Sequence, residues 1–151
     1  MKKKRGSSKK NKNFQRILLP VDGSESSARA VQKALFLAKE TAVDVTAIYV
    51  IDFAHLPSIE LNSVYLDMMK VVKKQGNEIL DQVKKQGFEL EVKVKTKLVK
   101  GIPDDQIIKE AKKDDLIIMG CRGKTRLRRI LIGSVCEKVL HHSKSPVMIV
   151  R

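Results

Sequence analysis

The sequence predicts an α/β protein: a three-layer sandwich around a five-stranded parallel sheet with strand order 3-2-1-4-5. Three observations carry this. From residue 14 onward, short apolar or β-branched runs alternate with longer segments of helical periodicity. Strands separated by helices run parallel, through right-handed crossovers. The run over residues 88–98 alternates apolar and charged residues, with Lys93, Lys95 and Lys97 on one face. Lysines of that kind blunt an exposed sheet edge, so this third strand belongs at one edge and the last strand at the other.

Residues 1–13 are Lys, Arg, Asn, Ser and Gly with one Met. They have nothing to bury against their ordering entropy and are expected to form a disordered basic tail, leaving residues 14–151 as one domain. The first strand is Arg16 to Val21, ended by Asp22-Gly23-Ser24, a turn rich in helix N-caps. Ala28, Val31, Leu35 and Ala38 then repeat at helical spacing, and the β-branched run 43–50 is the second strand. Leu61, Val64, Met68, Val71, Gln75, Ile79 and Val83 form the stripe of a long helix, with Gly76 as its weak point and Gly87 as its stop. On this reading Met68 and Met69 fill gaps in the core. After the third strand, Pro103, Asp104 and Asp105 open a short helix with Pro in its first turn and acids where the helix dipole favours them. Residues 115–119 are a central strand, Gly133-Ser134 starts the last helix, and residues 146–150 end the chain as the fifth strand.

The chain has 31 Lys and Arg against 17 Asp and Glu, a net charge of +14. Seven of the basic residues and none of the acids lie in residues 1–13, so the domain itself carries +7. Cys121 and Cys136 are too few for a disulfide scaffold, and no CxxC spacing suggests a metal. They read as reduced thiols of a cytoplasmic protein. The apolar run after the basic start is too short for a secretory signal, and no stretch approaches the roughly 18 apolar residues that span a bilayer.

In an open parallel sheet, ligands sit beyond the strand carboxyl ends where the chain order reverses, here between strands 1 and 4. The loops meeting there are Pro20-Val21-Asp22-Gly23-Ser24 and Met119-Gly120-Cys121-Arg122-Gly123-Lys124, the second continuing to Gly133-Ser134-Val135. Glycines at 120, 123 and 133 let backbone N–H groups approach an anion, and Ser134 opens a helix whose N-terminus attracts one. Arg122, Lys124, Arg126, Arg128 and Arg129 add five cations. Polyphosphate fits this set. Gly123-Lys124-Thr125 is not a Walker A loop, because Ile118 stands where that motif needs its first Gly, and Gly-x-Gly-x-x-Gly does not occur. His141 and His142, adjacent at a helix C-terminus, read as structural, Cys136 as packing, and Cys121 as a thiol among cations.

The pattern Gly120-x2-Gly123-x9-Gly133-Ser134 resembles the ATP-binding signature of the universal stress proteins. Ile17-Leu-Leu-Pro-Val-Asp-Gly-Ser24, Val99-Lys-Gly-Ile-Pro103 and Lys144-Ser-Pro-Val-Met-Ile-Val150 agree with it, over residues 14–151. The resemblance implies an adenine nucleotide alpha hydrolase-like fold and ATP, or another adenine nucleotide, as ligand, with Mg²⁺ at the phosphates. It implies that Asp22 holds the ribose or phosphate region unless it only caps the helix, with Pro20 and Val21 as walls and Ser24 beside them. Val45 on the second strand is expected at the adenine, and Met119 and Gly120 at base and ribose. Gly123, Gly133, Ser134 and Val135 are expected at the phosphates, with Arg122 and Lys124 as nearby charge. The implied role is a nucleotide-dependent sensor or switch in the stress response, with at most slow hydrolysis, and a homodimer through the strand over residues 147–150. The competing reading is a nucleic-acid-associated basic protein using the tail and the run over residues 126–129.

Overall fold

The structure, a computed structural model, describes residues 13–52, 63–121 and 132–151. The expected basic tail therefore lies almost wholly outside the described residues. Strands and helices alternate as β1 (Arg16–Pro20), α1 (Glu25–Thr41), β2 (Asp44–Ile51), α2 (Ser63–Glu89), β3 (Val94–Lys100), α3 (Pro103–Glu110), β4 (Asp115–Gly120), α4 (Ser134–His142) and β5 (Val147–Val150). The sheet is parallel throughout, in the order β3-β2-β1-β4-β5. Its register sets Arg16 of β1 beside Asp44 of β2 on one side and Asp115 of β4 on the other.

The period-2 alternation of buried strands divides the core in two. Ile17, Leu19, Val45, Ala47, Tyr49 and Ile51 face α1 and α2, joined by Ala30, Val31, Ala34, Leu35, Leu80 and Val83. Leu18, Ile48, Ile117 and Met119 point the other way, against Ile107 of α3 and Cys136 and Val139 of α4. Those are the three layers. No helix among the described residues is long and apolar enough to cross a membrane.

The long helix departs from the expected stripe. Val64, Met68 and Val71 are exposed, Val71 by 66 %, and the buried face is Gly76, Leu80, Val83 and Gly87, with Met69 packed beside it. Gly76 is no weak point: a Cβ there would stand 2.7 Å from both Leu98 and Tyr49, so the missing side chain lets α2 close on the sheet. Gly87 does not stop the helix either. It is buried against Val94, and the helix runs on to Glu89, which places Phe88 in solvent at 84 % exposure and delays β3 to Val94. The lysine face is as expected: Lys95 and Lys97 are exposed on the edge strand β3.

At the amino ends of the strands, Arg16 clamps β1 to β4. Its Nε donates to Asp115 Oδ1 at 2.9 Å, and its second nitrogen pairs with Asp115 Oδ2. Asp115, 2 % exposed, also accepts from the Lys112 N–H at 2.7 Å. Glu110 joins through Arg16 at 3.3 Å and Lys97 at 2.8 Å. The hydrogen bond to Asp115 holds the Arg16 guanidinium above its ordinary range despite partial burial. Burial alone would raise the Glu110 carboxyl, but hydrogen bonds and charge from Lys97 and Arg16 outweigh it and hold it below the usual range.

Candidate functional site

At the opposite end of the sheet, the carboxyl ends of β1 and β4 diverge over a cavity of about 210 Å³. One wall is apolar: Ile48 and Val50 from β2, Ile107 from α3, Met119 from β4, and Pro20 and Val21 from the end of β1. The rest is polar or backbone, from Asp22, Ser24 and Ser27 on one side and Gly120, Gly133 and Ser134 on the other.

The loop after β1 is braced internally. Asp22 Oδ1 accepts from the Ser24 N–H at 2.9 Å, and the Asp22 N–H donates to Ser27 Oγ at 3.3 Å. The cap of α1 is Ser24, whose hydroxyl accepts from the Ser27 N–H at 3.2 Å. The alternative in which Asp22 only caps the helix does not hold, since its carboxylate folds the turn instead. Gly23 makes the turn with φ +79, where a side chain would be strained and would meet Ile79 Cδ1 at 2.7 Å.

The loop after β4 is held at both ends. The Cys121 N–H donates to Val150 O at 2.8 Å, and the Gly133 N–H donates back to Cys121 O at 2.9 Å. Gly120 lies against α1, where a Cβ would come within 2.6 Å of the Ser26 carbonyl carbon. Cys136, in the first turn of α4, donates its thiol to Gly120 O at 3.5 Å. Burial, and then the nearby Cys121 charge, push that thiol up to about 11.

Three helices begin at this cavity, and their first turns differ. At α1 the side chain of Ser24 is committed to capping and Glu25 already supplies a negative charge. At α3 the first residue is Pro103, which has no N–H, followed by Asp104 and Asp105. Asp104 is buried and pairs with Lys138 of α4 at 3.6 Å. At α4 the cap is Gly133, no side chain among the described residues caps the turn, and the helix's own bonding begins with Glu137 N–H to Gly133 O at 2.9 Å. The N–H groups of Ser134, Val135 and Cys136 precede that bond, at the positive end of the helix dipole. Glu137 puts an acid in this first turn as well, so it is by available donors rather than by charge that α4 is the helix start suited to an anion.

Of the residues expected at the site, the structure brings Pro20, Val21, Asp22, Ser24, Met119, Gly120, Gly133, Ser134 and Val135 to one cavity. Val45 is elsewhere. It is fully buried in the core under α1 and α2, one strand face away from the cavity, and Ile48 and Val50 line the site instead. A strand alternates faces residue by residue, so Val45 and Val50 differ in face as well as in height. Arg122, Gly123 and Lys124, like the run over residues 126–129, lie outside the described residues. Ser27, Pro103, Ile107, Cys121 and Cys136 complete the lining and were not anticipated as site residues. Ser27 sits three residues after Ser24, the spacing of a capped first turn, and that signal was present in the sequence. Among the described residues, no group of three His, Cys, Asp or Glu side chains is placed to hold a metal ion.

A family model described as the universal stress protein family matches residues 13–151. The chain is 39 % identical over 140 residues to universal stress protein MJ0531 of Methanocaldococcus jannaschii, covering 91 % of this chain and 82 % of that one. Among solved structures it is similar to the hypothetical protein MJ0577 of the same organism, with a TM-score of 0.80 and 33 % identity over 91 % of this chain and 95 % of the other. A universal stress protein solved in complex with cAMP aligns with a TM-score of 0.64 and 25 % identity, over 91 % and 97 % of the two chains.

Proposed function

The chain belongs to the universal stress protein family, and from that premise we propose that it binds an adenine nucleotide, ATP foremost, as a sensor or switch in the stress response. The observation that carries the reading is the uncapped start of α4 at Gly133 and Ser134, facing the Asp22 turn across one cavity. Phosphates seat on the N–H groups of Ser134 and Val135, where the dipole favours negative charge. The base lies along the apolar wall of Ile48, Val50, Ile107 and Met119, and Asp22 and Ser24 take the ribose side. The relative solved with cAMP supports the ligand class. Mg²⁺ would be held mainly by the nucleotide's own phosphates, where it would offset their charge, with Asp22 as the one carboxylate among the described lining residues.

The chemistry is recognition rather than turnover, with hydrolysis at most slow. Phosphoryl transfer needs a residue that orients the attacking group, and the turn offers Asp22 and Ser24, both engaged in its own hydrogen bonds. The two free cysteines suit the cytoplasm. β5 pairs with β4 on one side only, and Met148 is 41 % exposed, which supports a homodimer formed edge to edge through Val147–Val150.

Equilibrium titration with ATP, ADP and AMP tests the nucleotide reading. Saturable binding tighter than about 1 mM, roughly 4 kcal/mol of binding free energy, is expected. Asp22→Ala is expected to weaken it about tenfold or more. No binding by the full chain at millimolar nucleotide overturns the assignment, and a monomer mass by light scattering at micromolar concentration overturns the dimer.

A further inference from the structure

Two cysteines line the same cavity. Cys121 follows the last residue of β4, and Cys136 projects from the first turn of α4. Cys136 Sγ lies 3.5 Å from the carbonyl oxygen of Gly120. That oxygen belongs to the peptide unit whose nitrogen is Cys121, and in a trans peptide it stands about 2.8 Å from the following Cα. The Cys136 sulfur is therefore within about 6 Å of the Cys121 Cα. A disulfide needs Cα atoms about 4.4–6.8 Å apart, and the Cys136 sulfur beside the Cys121 backbone makes the two residues neighbours that a shift of the start of α4 can join. The backbone bond between Gly133 and Cys121 at 2.9 Å already holds the two segments together. Both residues are buried, and both line the cavity.

We propose that Cys121 and Cys136 form a reversible thiol–disulfide site within the cavity, oxidised by a peroxide, that ties the start of α4 to the end of β4 and shuts the phosphate seat. The last clause rests on the nucleotide reading; the disulfide itself does not. Cys136, whose thiol is raised by burial, is the poorer first nucleophile and acts second. The Cys121 thiolate attacks one peroxide oxygen and the O–O bond breaks. The departing hydroxide takes up the proton the thiol released, leaving water and a Cys121 sulfenic acid. The Cys136 sulfur then attacks that sulfur, the S–O bond breaks, and the second hydroxide leaves as water with the Cys136 proton. Two thiols lose two hydrogens, and one peroxide becomes two waters.

The test uses the full chain, fully reduced and then exposed to hydrogen peroxide. Mass spectrometry is expected to find the loss of two hydrogens and a peptide joining Cys121 to Cys136 within one chain, both reversed by dithiothreitol. In Cys136→Ser, dimedone is expected to trap a sulfenic acid at Cys121. Sulfinic or sulfonic acid at Cys121 with no joined peptide, or linkage only between chains, overturns the site. ATP titration of the reduced and oxidised forms tests the closure: at least tenfold weaker binding after oxidation supports it, and equal affinity overturns it. Binding by neither form overturns the nucleotide reading and the closure with it, while the joined peptide still decides the thiol site.

Discussion

Ser24 and Gly120 illustrate how single side chains, present or absent, set the mouth of the cavity. Ser24 Oγ accepts the Ser27 N–H and fixes the first turn of α1, so Ser24→Ala is expected to lose about 1 kcal/mol in urea unfolding. Gly120 is needed for the lack of a side chain, because a Cβ there meets the Ser26 main chain at 2.6 Å and no rotamer relieves the contact. Gly120→Ala is expected to cost at least about 2 kcal/mol, since α1 must move off β4. An unfolding midpoint within error of the parent protein would refute that close approach. At this scale the sequence was informative about chemistry and weak about direction. Gly120, Gly133, Asp22 and Ser134 were legible as residues that meet at one cavity, whereas Val45 was placed there too although its strand face turns it into the other core.

Among the elements, α2 departed furthest from expectation. Its buried face, Gly76, Leu80, Val83 and Gly87, keeps a helical spacing of four, three and four residues. Propensity alone treats the two glycines as breakers, and a stripe counted by apolar residues passes over them. Packing reverses that meaning, because the sheet side of a helix approaches most closely where there is least side chain. Gly76→Ala therefore serves as a test. On an exposed helix surface the change would stabilise by about 1 kcal/mol. Here the added methyl meets Tyr49 and Leu98 at 2.7 Å, and a net loss of stability in thermal or urea unfolding is expected. A gain would mean that α2 rides farther from the sheet. The remaining elements followed their local signals closely, with β1, β2, β4 and β5 within a residue or two of their expected ends and α3 opening at Pro103.

Across the whole molecule, the two ends of the sheet divide the work. The carboxyl ends open on the cavity, while the amino ends are pinned by Arg16, Asp115, Glu110 and Lys97. Glu110 is held below its ordinary range in the folded chain, so it stabilises the fold above the unfolded-state value near 4.5 and loses that contribution as pH falls through the lower folded value. Glu110→Gln is expected to be less stable than the parent at pH 7, with the gap closing toward pH 3. A gap that persists unchanged in acid would show that charge is not its source. Asp115 is more deeply committed. Asp115→Ala leaves the Arg16 guanidinium without its bidentate partner, and a loss of about 3 kcal/mol or more is expected in urea unfolding.

By itself the sequence determined the layers, the parallel sheet, its strand order and the pair of loops that meet over the cavity. Those follow from local periodicity, turn residues and the handedness of crossovers, all of which act over a few residues. Only the tertiary structure decided which face of β2 lines the cavity, which side of α2 is buried, and that two cysteines 15 positions apart line one cavity. Each of those depends on what lies across a contact from a distant part of the chain, and no local pattern encodes its neighbour.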